Sequence, residues 1–156
     1  MQILLSNRQR RHRISSRQLK RVAARILSVL GCPEETEVSV SIVGDRTIQR
    51  INRDYLAKDR PTNVISFSLQ EGEYSGVTPL ALGDVIISAD TAQREAEQGG
   101  MELSERLCFL LMHGILHLCG FDHERSGEEE ARRMEKKERE LFRILKKEGL
   151  LNLTVS

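Results

Sequence analysis

Three of the four histidines of this chain fall between positions 113 and 123, with the spacing of metal ligands. On a helix, His113 and His117 share one face and lie close enough to bind one ion. Gly120 can end such a helix with a positive φ, which turns His123 toward the same ion. Three imidazoles with an open fourth position are typical of catalytic zinc rather than of closed structural zinc. We therefore predict one Zn²⁺ ion bound by these three histidines.

The same segment follows the histidine motif of the metzincin metalloproteases with one replacement. Gly114 stands where that motif has the glutamate that acts as general base. Glycine has no side chain that can accept a proton, so peptide hydrolysis is disfavoured. Met134 has the residue type of the methionine that lies beneath such sites, although a core methionine at helical spacing is the more ordinary interpretation.

Three segments carry distinctive motifs, namely HGILHLCGFDH at residues 113–123, KDRPTNVISF at residues 58–67 and LGDVIIS at residues 82–88. Together they resemble the YbeY family of bacterial endoribonucleases. In order and spacing the resemblance covers nearly the whole chain, apart from its basic N-terminal stretch. It implies zinc held by the three histidines and a small mixed sheet with helices. It also implies single-stranded RNA as substrate, in ribosomal RNA maturation and ribosome quality control.

One position departs from the family. Many members carry an arginine directly after the tyrosine that matches Tyr55, whereas this chain has Leu56. An arginine offers a fixed cation with a fork that fits a phosphate, and leucine offers neither. Arg60 or Lys58, in the same loop, is the candidate replacement.

Arg60 and Asp122 are the candidate catalytic residues beside the metal ligands. Asp122 precedes His123, where it can orient an imidazole or accept a proton. Capping of the loop before the last helix is an equally good interpretation of Asp122. An exposed loop charge without a function is the alternative for Arg60. The attacking group stays open between water activated at the metal and the ribose 2′-hydroxyl.

The elements that must position these residues alternate between strands and helices. Apolar patterning predicts strands over residues 2–6, 38–43, 63–69 and 82–88, with a loop over residues 70–81. Helical spacing predicts helices from Ser15 or Ser16 to Leu30, from Asp45 past Ile51, over 89–98, from Ser104 to Leu118 and over 127–148. Asp45 and Ser104 are the expected N-caps. This order predicts one α+β domain over residues 1–156, a small mixed β-sheet packed with helices and a metzincin-like histidine helix.

Composition and charge limit the class of protein. The chain has 156 residues, of which 39% are hydrophobic and 30% charged, an ordinary balance for one globular domain. No apolar run approaches the roughly 20 residues of a membrane-spanning helix, and the N-terminus lacks the order of an export signal. We therefore expect a cytoplasmic protein without membrane contacts. Cys32, Cys108 and Cys119 are odd in number and lack a CxxC spacing, which argues against a disulfide framework.

The net charge of +1 hides a basic segment. Its cations are Arg8, Arg10, Arg11, Arg13, Arg17, Lys20, Arg21 and Arg25, with no acid among them. Such a run attracts a polyanion, but a solvated helix face is the more ordinary interpretation. Because the net charge of the whole chain is close to zero, any RNA contact should be local.

Three functions from different classes remain open. The favoured one is a zinc endoribonuclease that cleaves single-stranded, chiefly ribosomal, RNA. The second is a ribosome-assembly factor that binds ribosomal RNA or ribosomal proteins and has a weakly active or structural zinc site. The third is a metal-dependent hydrolase of a small molecule or peptide. Gly114 counts against peptide cleavage, and Leu56 keeps the second function open.

Overall fold

In the described residues, alternating apolar side chains build one mixed sheet of four strands in the order β1-β2-β4-β3. The strands are β1 Gln2–Asn7, β2 Glu37–Val43, β3 Val64–Ser68 and β4 Ala81–Ser88. β1, β2 and β4 run parallel, and β3 pairs antiparallel with β4 at one edge. This computed structural model describes residues 1–69, 80–121 and 127–154. The predicted loop over residues 70–81 therefore falls mainly outside the described residues.

Five helices occupy the described residues. They are α1 Ser16–Val29, α2 Asp45–Leu56, α3 Ala89–Gly99, α4 Leu103–Leu118 and α5 Gly127–Lys147. Ser15 caps α1 as predicted, because its hydroxyl accepts the backbone N–H of Gln18 at 3.2 Å. Together, the sheet and helices confirm the predicted fold class, a single α+β domain with a small mixed sheet.

The two faces of the sheet are covered by different helices. Val85 and Ile87 point into the main core, which they share with α1, α4 and α5. Ile86 points to the opposite face, since successive side chains of a strand alternate, and there it packs with Ile48 of α2. α4 is buried between this main face and the neighbouring helices, which explains its nearly continuous apolar sequence.

The predicted N-cap role of Asp45 is wrong. Gly44 holds the cap position of α2, and Asp45 is the first residue of the helix. The Asp45 carboxylate instead accepts the hydroxyls of Ser88 at 2.7 Å and Thr91 at 2.6 Å. Its hydrogen bonds therefore tie the start of α2 to the start of α3.

The predicted N-cap role of Ser104 is also wrong. α4 begins one residue earlier, and Glu102 holds its cap position. The Ser104 hydroxyl accepts the backbone N–H of Leu153 at 3.1 Å. The serine therefore fastens the C-terminal segment to the start of α4.

The structure also describes the three cysteines, Met134 and the apolar character of the helices. All three cysteines are free, with Cys108 buried and the other two partly buried. Met134 is fully buried in the main core. Of the helices that the structure describes, none combines the length and the apolar character that crossing a bilayer requires.

Candidate metal centre

His113 and His117 lie one turn apart on α4, with their Nε2 atoms 3.1 Å from each other. Zinc binds imidazole nitrogens at about 2.0–2.1 Å, so two tetrahedral ligands stand about 3.3 Å apart. The two rings meet edge to face with centroids 4.6 Å apart. The spacing of the two nitrogens therefore fits a pair of ligands that share one zinc ion.

Glu138 of α5 holds the other side of the His113 ring. Its Oε2 atom lies 3.1 Å from His113 Nδ1, and the residue is only 6% exposed. A carboxylate at this distance accepts a hydrogen bond from the Nδ1–H group. The ring proton then stays on Nδ1, and the Nε2 lone pair is left for a metal ion. Phe109 also orients this ring, with centroids 6.3 Å apart and planes 24° apart. Glu138 is not among the site residues predicted from the sequence.

The third predicted ligand, His123, and the candidate catalytic residue Asp122 lie outside the described residues, which resume at position 127. Within the described part of the chain, His113 and His117 belong to no group of three possible metal ligands. Gly120 has a φ of +96°, as predicted for the residue at which the chain leaves α4. The assignment of His123 therefore stays a prediction.

Gly114 lets α4 approach the sheet closely. A Cβ atom at this position would lie 2.6 Å from Cγ1 of Val85, closer than real Cβ atoms come. On the same side, the Ser66 hydroxyl donates to the Gly114 carbonyl at 3.1 Å. The position that carries the base in the metzincin motif therefore faces β3 and β4. Its glycine is required by packing, which explains the missing base in physical terms.

Arg60 lies on the exposed loop that follows α2. Its carbonyl accepts Nδ2 of Asn52 at 2.9 Å, which anchors the loop backbone. In the part of the chain that the structure describes, its guanidinium forms no ion pair and no hydrogen bond with His113 or His117. Leu56, the last residue of α2, is 45% exposed. The structure thus places Arg60 on an accessible loop and does not join it to the histidines.

Comparisons with known proteins identify the family. The family model described as "Endoribonuclease YbeY" matches residues 4–146. This chain belongs to the YbeY family. Relatives named "Endoribonuclease YbeY" include those of Geobacter metallireducens and Geobacter sulfurreducens, 64% and 60% identical over 151 residues. Each alignment covers 97% of this chain and 100% of the relative.

A more distant YbeY relative and one solved structure extend the comparison. The "Endoribonuclease YbeY" of Aquifex aeolicus is 42% identical over 78% of both chains. The solution structure of TM1509 from Thermotoga maritima superposes with a TM-score of 0.61 at 22% identity. It covers 96% of this chain and 95% of that chain. At this identity the structural likeness supports the fold alone.

Proposed function

We propose that this chain is a zinc-dependent endoribonuclease that cleaves single-stranded RNA in ribosomal RNA maturation and ribosome quality control. The observation that carries the proposal is the His113–His117 pair, with its 3.1 Å separation of Nε2 atoms, in a YbeY-family chain. The names of the relatives support endoribonuclease activity. The zinc ion and the single-stranded substrate rest on the donor chemistry of the site and on the resemblance of the motifs.

Each residue of the proposed site has a separate task. His113, His117 and His123 hold the ion, and Glu138 keeps the Nε2 lone pair of His113 directed at it. When bound, zinc polarises a phosphoryl oxygen and lowers the pKa of water to about 7. Asp122 is the proposed proton acceptor.

Charge on the substrate requires a cation near the reacting phosphate. Arg60 is the proposed group, because its exposed guanidinium has no ion-pair partner among the described residues and its fork fits a phosphate. Peptide hydrolysis is not proposed, since Gly114 faces Val85 and leaves no room for a base on α4.

The proposal is tested by RNA cleavage and zinc content measured on the same preparations. Wild-type protein should carry about one equivalent of zinc and should cleave single-stranded RNA faster than duplex RNA. His117→Ala should lose most of both. His12→Ala is the matched control, because His12 also bonds a carboxylate, Asp90 at 3.0 Å, but lies outside the site. Equal zinc content and equal cleavage in wild type and His117→Ala would refute the site.

A second candidate function is binding to ribosomal RNA or ribosomal proteins with little cleavage. The observation that favours it is Leu56, where many family members have an arginine. In that case, wild-type protein should bind ribosomal RNA or ribosomal proteins without cutting RNA, and His117→Ala should leave the binding unchanged.

A further inference from the structure

A groove of about 460 Å³ opens between α4 and α5, beside the candidate metal centre. We call it the α4–α5 groove. Its lining includes Phe109, Glu138, Arg139, Phe142, Arg143 and Lys146. Phe109 and Glu138 both also contact the ring of His113. The groove therefore adjoins His113, with Phe109 and Glu138 between the groove and the imidazole ring.

The inner part of the groove is aromatic. Phe109 and Phe142 are both half-buried, and their rings meet edge to face with centroids 5.9 Å apart. Both rings pack against the main core, and Arg106 lies over the Phe109 ring at 5.1 Å, so Phe142 is the ring that is left for a ligand in the groove. Rings in this arrangement present an apolar π surface of the kind on which nucleic-acid bases stack.

The rim of the groove is basic. Arg139, Arg143 and Lys146 are exposed and lie on one side of α5. Within the described residues none of the three forms an ion pair. Three other cations on the same helix are paired, namely Arg132 with Glu128, Arg133 with Glu130 and Lys137 with Glu140, whereas Lys136 and Lys147 likewise form no ion pair with a described residue. The three rim cations are therefore available to an anionic ligand.

The acids of the groove do not neutralise this rim. Glu138 is buried and bonds the ring of His113. Glu135 is the other acid in the lining, and it is exposed to solvent. Three available cations therefore face one exposed carboxylate, which favours a polyanion over a basic peptide.

We propose that the α4–α5 groove binds the single-stranded RNA next to the cleaved bond, with a base on Phe142 and phosphates on Arg139, Arg143 and Lys146. The substrate class rests on the proposed function. Aromatic stacking combined with backbone cations is the usual way in which proteins hold a single strand. The bases of a duplex are already stacked and paired, so the groove selects single strands.

The charge part of the proposal is tested by the salt dependence of binding. The probe is a fluorescein-labelled single-stranded oligodeoxynucleotide with deoxyuridine in place of thymidine, which a ribonuclease leaves intact and which has the bases and phosphates of RNA. Arg139→Ala/Arg143→Ala should weaken binding at low salt. It should also lower the slope of log affinity against log salt by about 1.4, since each phosphate contact on a single strand contributes about 0.7.

A matched control is available on the other side of the sheet. Arg46 and Arg50 have the same spacing on α2 and are also exposed. Arg46→Ala/Arg50→Ala removes the same charge from the same kind of surface and should leave the salt slope unchanged. An equal fall in both double variants would reduce the effect to net charge and overturn the proposal.

The stacking part is tested at Phe142. Phe142→Leu keeps an apolar side chain but removes the ring, and should weaken binding of the single strand about five- to a hundredfold. Phe142→Tyr should bind like wild type. An oligonucleotide with abasic positions should bind wild type and Phe142→Leu equally, a result that a loss of folding would not produce.

Binding and cleavage fail in different ways. If wild type cleaves RNA but the groove variants bind and cleave unchanged, the groove proposal is wrong and the proposed function stands. If wild type cleaves no RNA, yet single-strand binding depends on the groove, the nuclease proposal is wrong and the groove assignment stands.

Discussion

Glu138 interrupts an apolar stripe on α5 in which Met134, Leu141 and Leu145 are buried. It lies four residues after the first and three before the second, so helical geometry places it on the same face. Burial of an acid is costly unless the acid is paired, and here the partner is His113. An acid within an apolar stripe can be found in the sequence, and it indicates a buried acid that needs a partner. Its partner depends on how α5 docks on α4, which local patterns do not reveal.

Replacement of Glu138 should weaken zinc binding. Glu138→Gln keeps the size of the side chain but replaces a carboxylate acceptor with a neutral amide that can also turn its NH₂ toward the ring. Loss of such an outer partner typically lowers metal affinity about 10–100-fold. Competition with a chromophoric chelator measures the affinity. Glu135→Gln, one turn earlier on α5 and exposed, is the control and should bind zinc normally. Equal affinities in all three proteins would show that Glu138 has no role at the metal.

Arg60 is tested by its own substitution. If it contacts the reacting phosphate, Arg60→Ala should slow RNA cleavage about a hundredfold to a thousandfold, or about 2.7–4 kcal/mol, with zinc content unchanged. Arg50→Ala, an exposed arginine on α2, should cleave at the wild-type rate. A loss of only a few-fold in Arg60→Ala would make Arg60 a surface charge.

Leu56→Arg belongs to the same assay. A large gain in cleavage would identify a weakened nuclease and favour binding as the main task. No gain, together with a strong defect in Arg60→Ala, supports a relocated cation.

At the scale of elements, the contact of α4 with the sheet depends on one missing side chain. Gly114→Ala pushes a methyl group into Val85, which should destabilise the fold by about 1–3 kcal/mol. Gly99→Ala in α3 is the control, since its Cβ would meet only the flexible end of Met101 at 3.3 Å. That variant should match or exceed wild-type stability, because alanine favours helices over glycine by about 1 kcal/mol. Urea unfolding compares the three, and equal midpoints would contradict the packing argument.

Local patterns predicted most elements and the shared face of the histidine pair, and their failures have a common cause. Periodicity located the strands, the helices and the shared face of His113 and His117, because these features depend on neighbours in sequence. It did not predict that β4 would lie between β2 and β3. It also misassigned Asp45 and Ser104, whose partners Ser88 and Leu153 are more than forty residues away. Long-range contacts decide such features.

On the scale of the whole molecule, acid should destabilise the fold through two aspartates. Burial raises the pKa of Asp45, but hydrogen bonds from Thr91, Ser88 and Arg94 outweigh it and hold the pKa below its usual value. For Asp90, hydrogen bonds from the Asp45 N–H and His12 likewise outweigh burial and lower the pKa. The folded chain thus holds these protons less tightly than the unfolded chain. Their contribution is complete above about pH 4 and is lost as pH falls through the lower folded values.

Thermal unfolding as a function of pH measures this loss of stability in acid. Asp45→Asn should be less stable than wild type near neutral pH and should lose less stability on acidification. Glu128→Gln removes a carboxylate whose side chain is 93% exposed and should reproduce the wild-type profile. If Asp45→Asn lost as much stability in acid as wild type, the Asp45 carboxylate would be ruled out as a cause of the acid destabilisation.

Alkali should destabilise the fold through two thiols. Burial raises the pKa of Cys108 to about 12, and burial together with Cys32 does the same for Cys119. Thiols of the unfolded chain titrate near 8.5, so the folded chain holds these protons more tightly. The contribution of these two thiols to stability should be complete below about pH 8.5 and should be lost as pH rises toward 12. Cys119→Ala should show a shallower decline in urea midpoint above that pH, and an identical decline would contradict the assignment.

The strand order also determines when each strand can pair while the chain is being translated. The strands leave the ribosome in numerical order, yet β4 lies between β2 and β3 in the finished sheet. β1 and β2 can pair early, whereas one side of β2 and all of β3 have no strand partner until residue 88 has been made. An unpaired strand edge invites pairing with another chain. The nascent protein is therefore most exposed to aggregation between the synthesis of β2 and that of β4, while its own last strand is still missing.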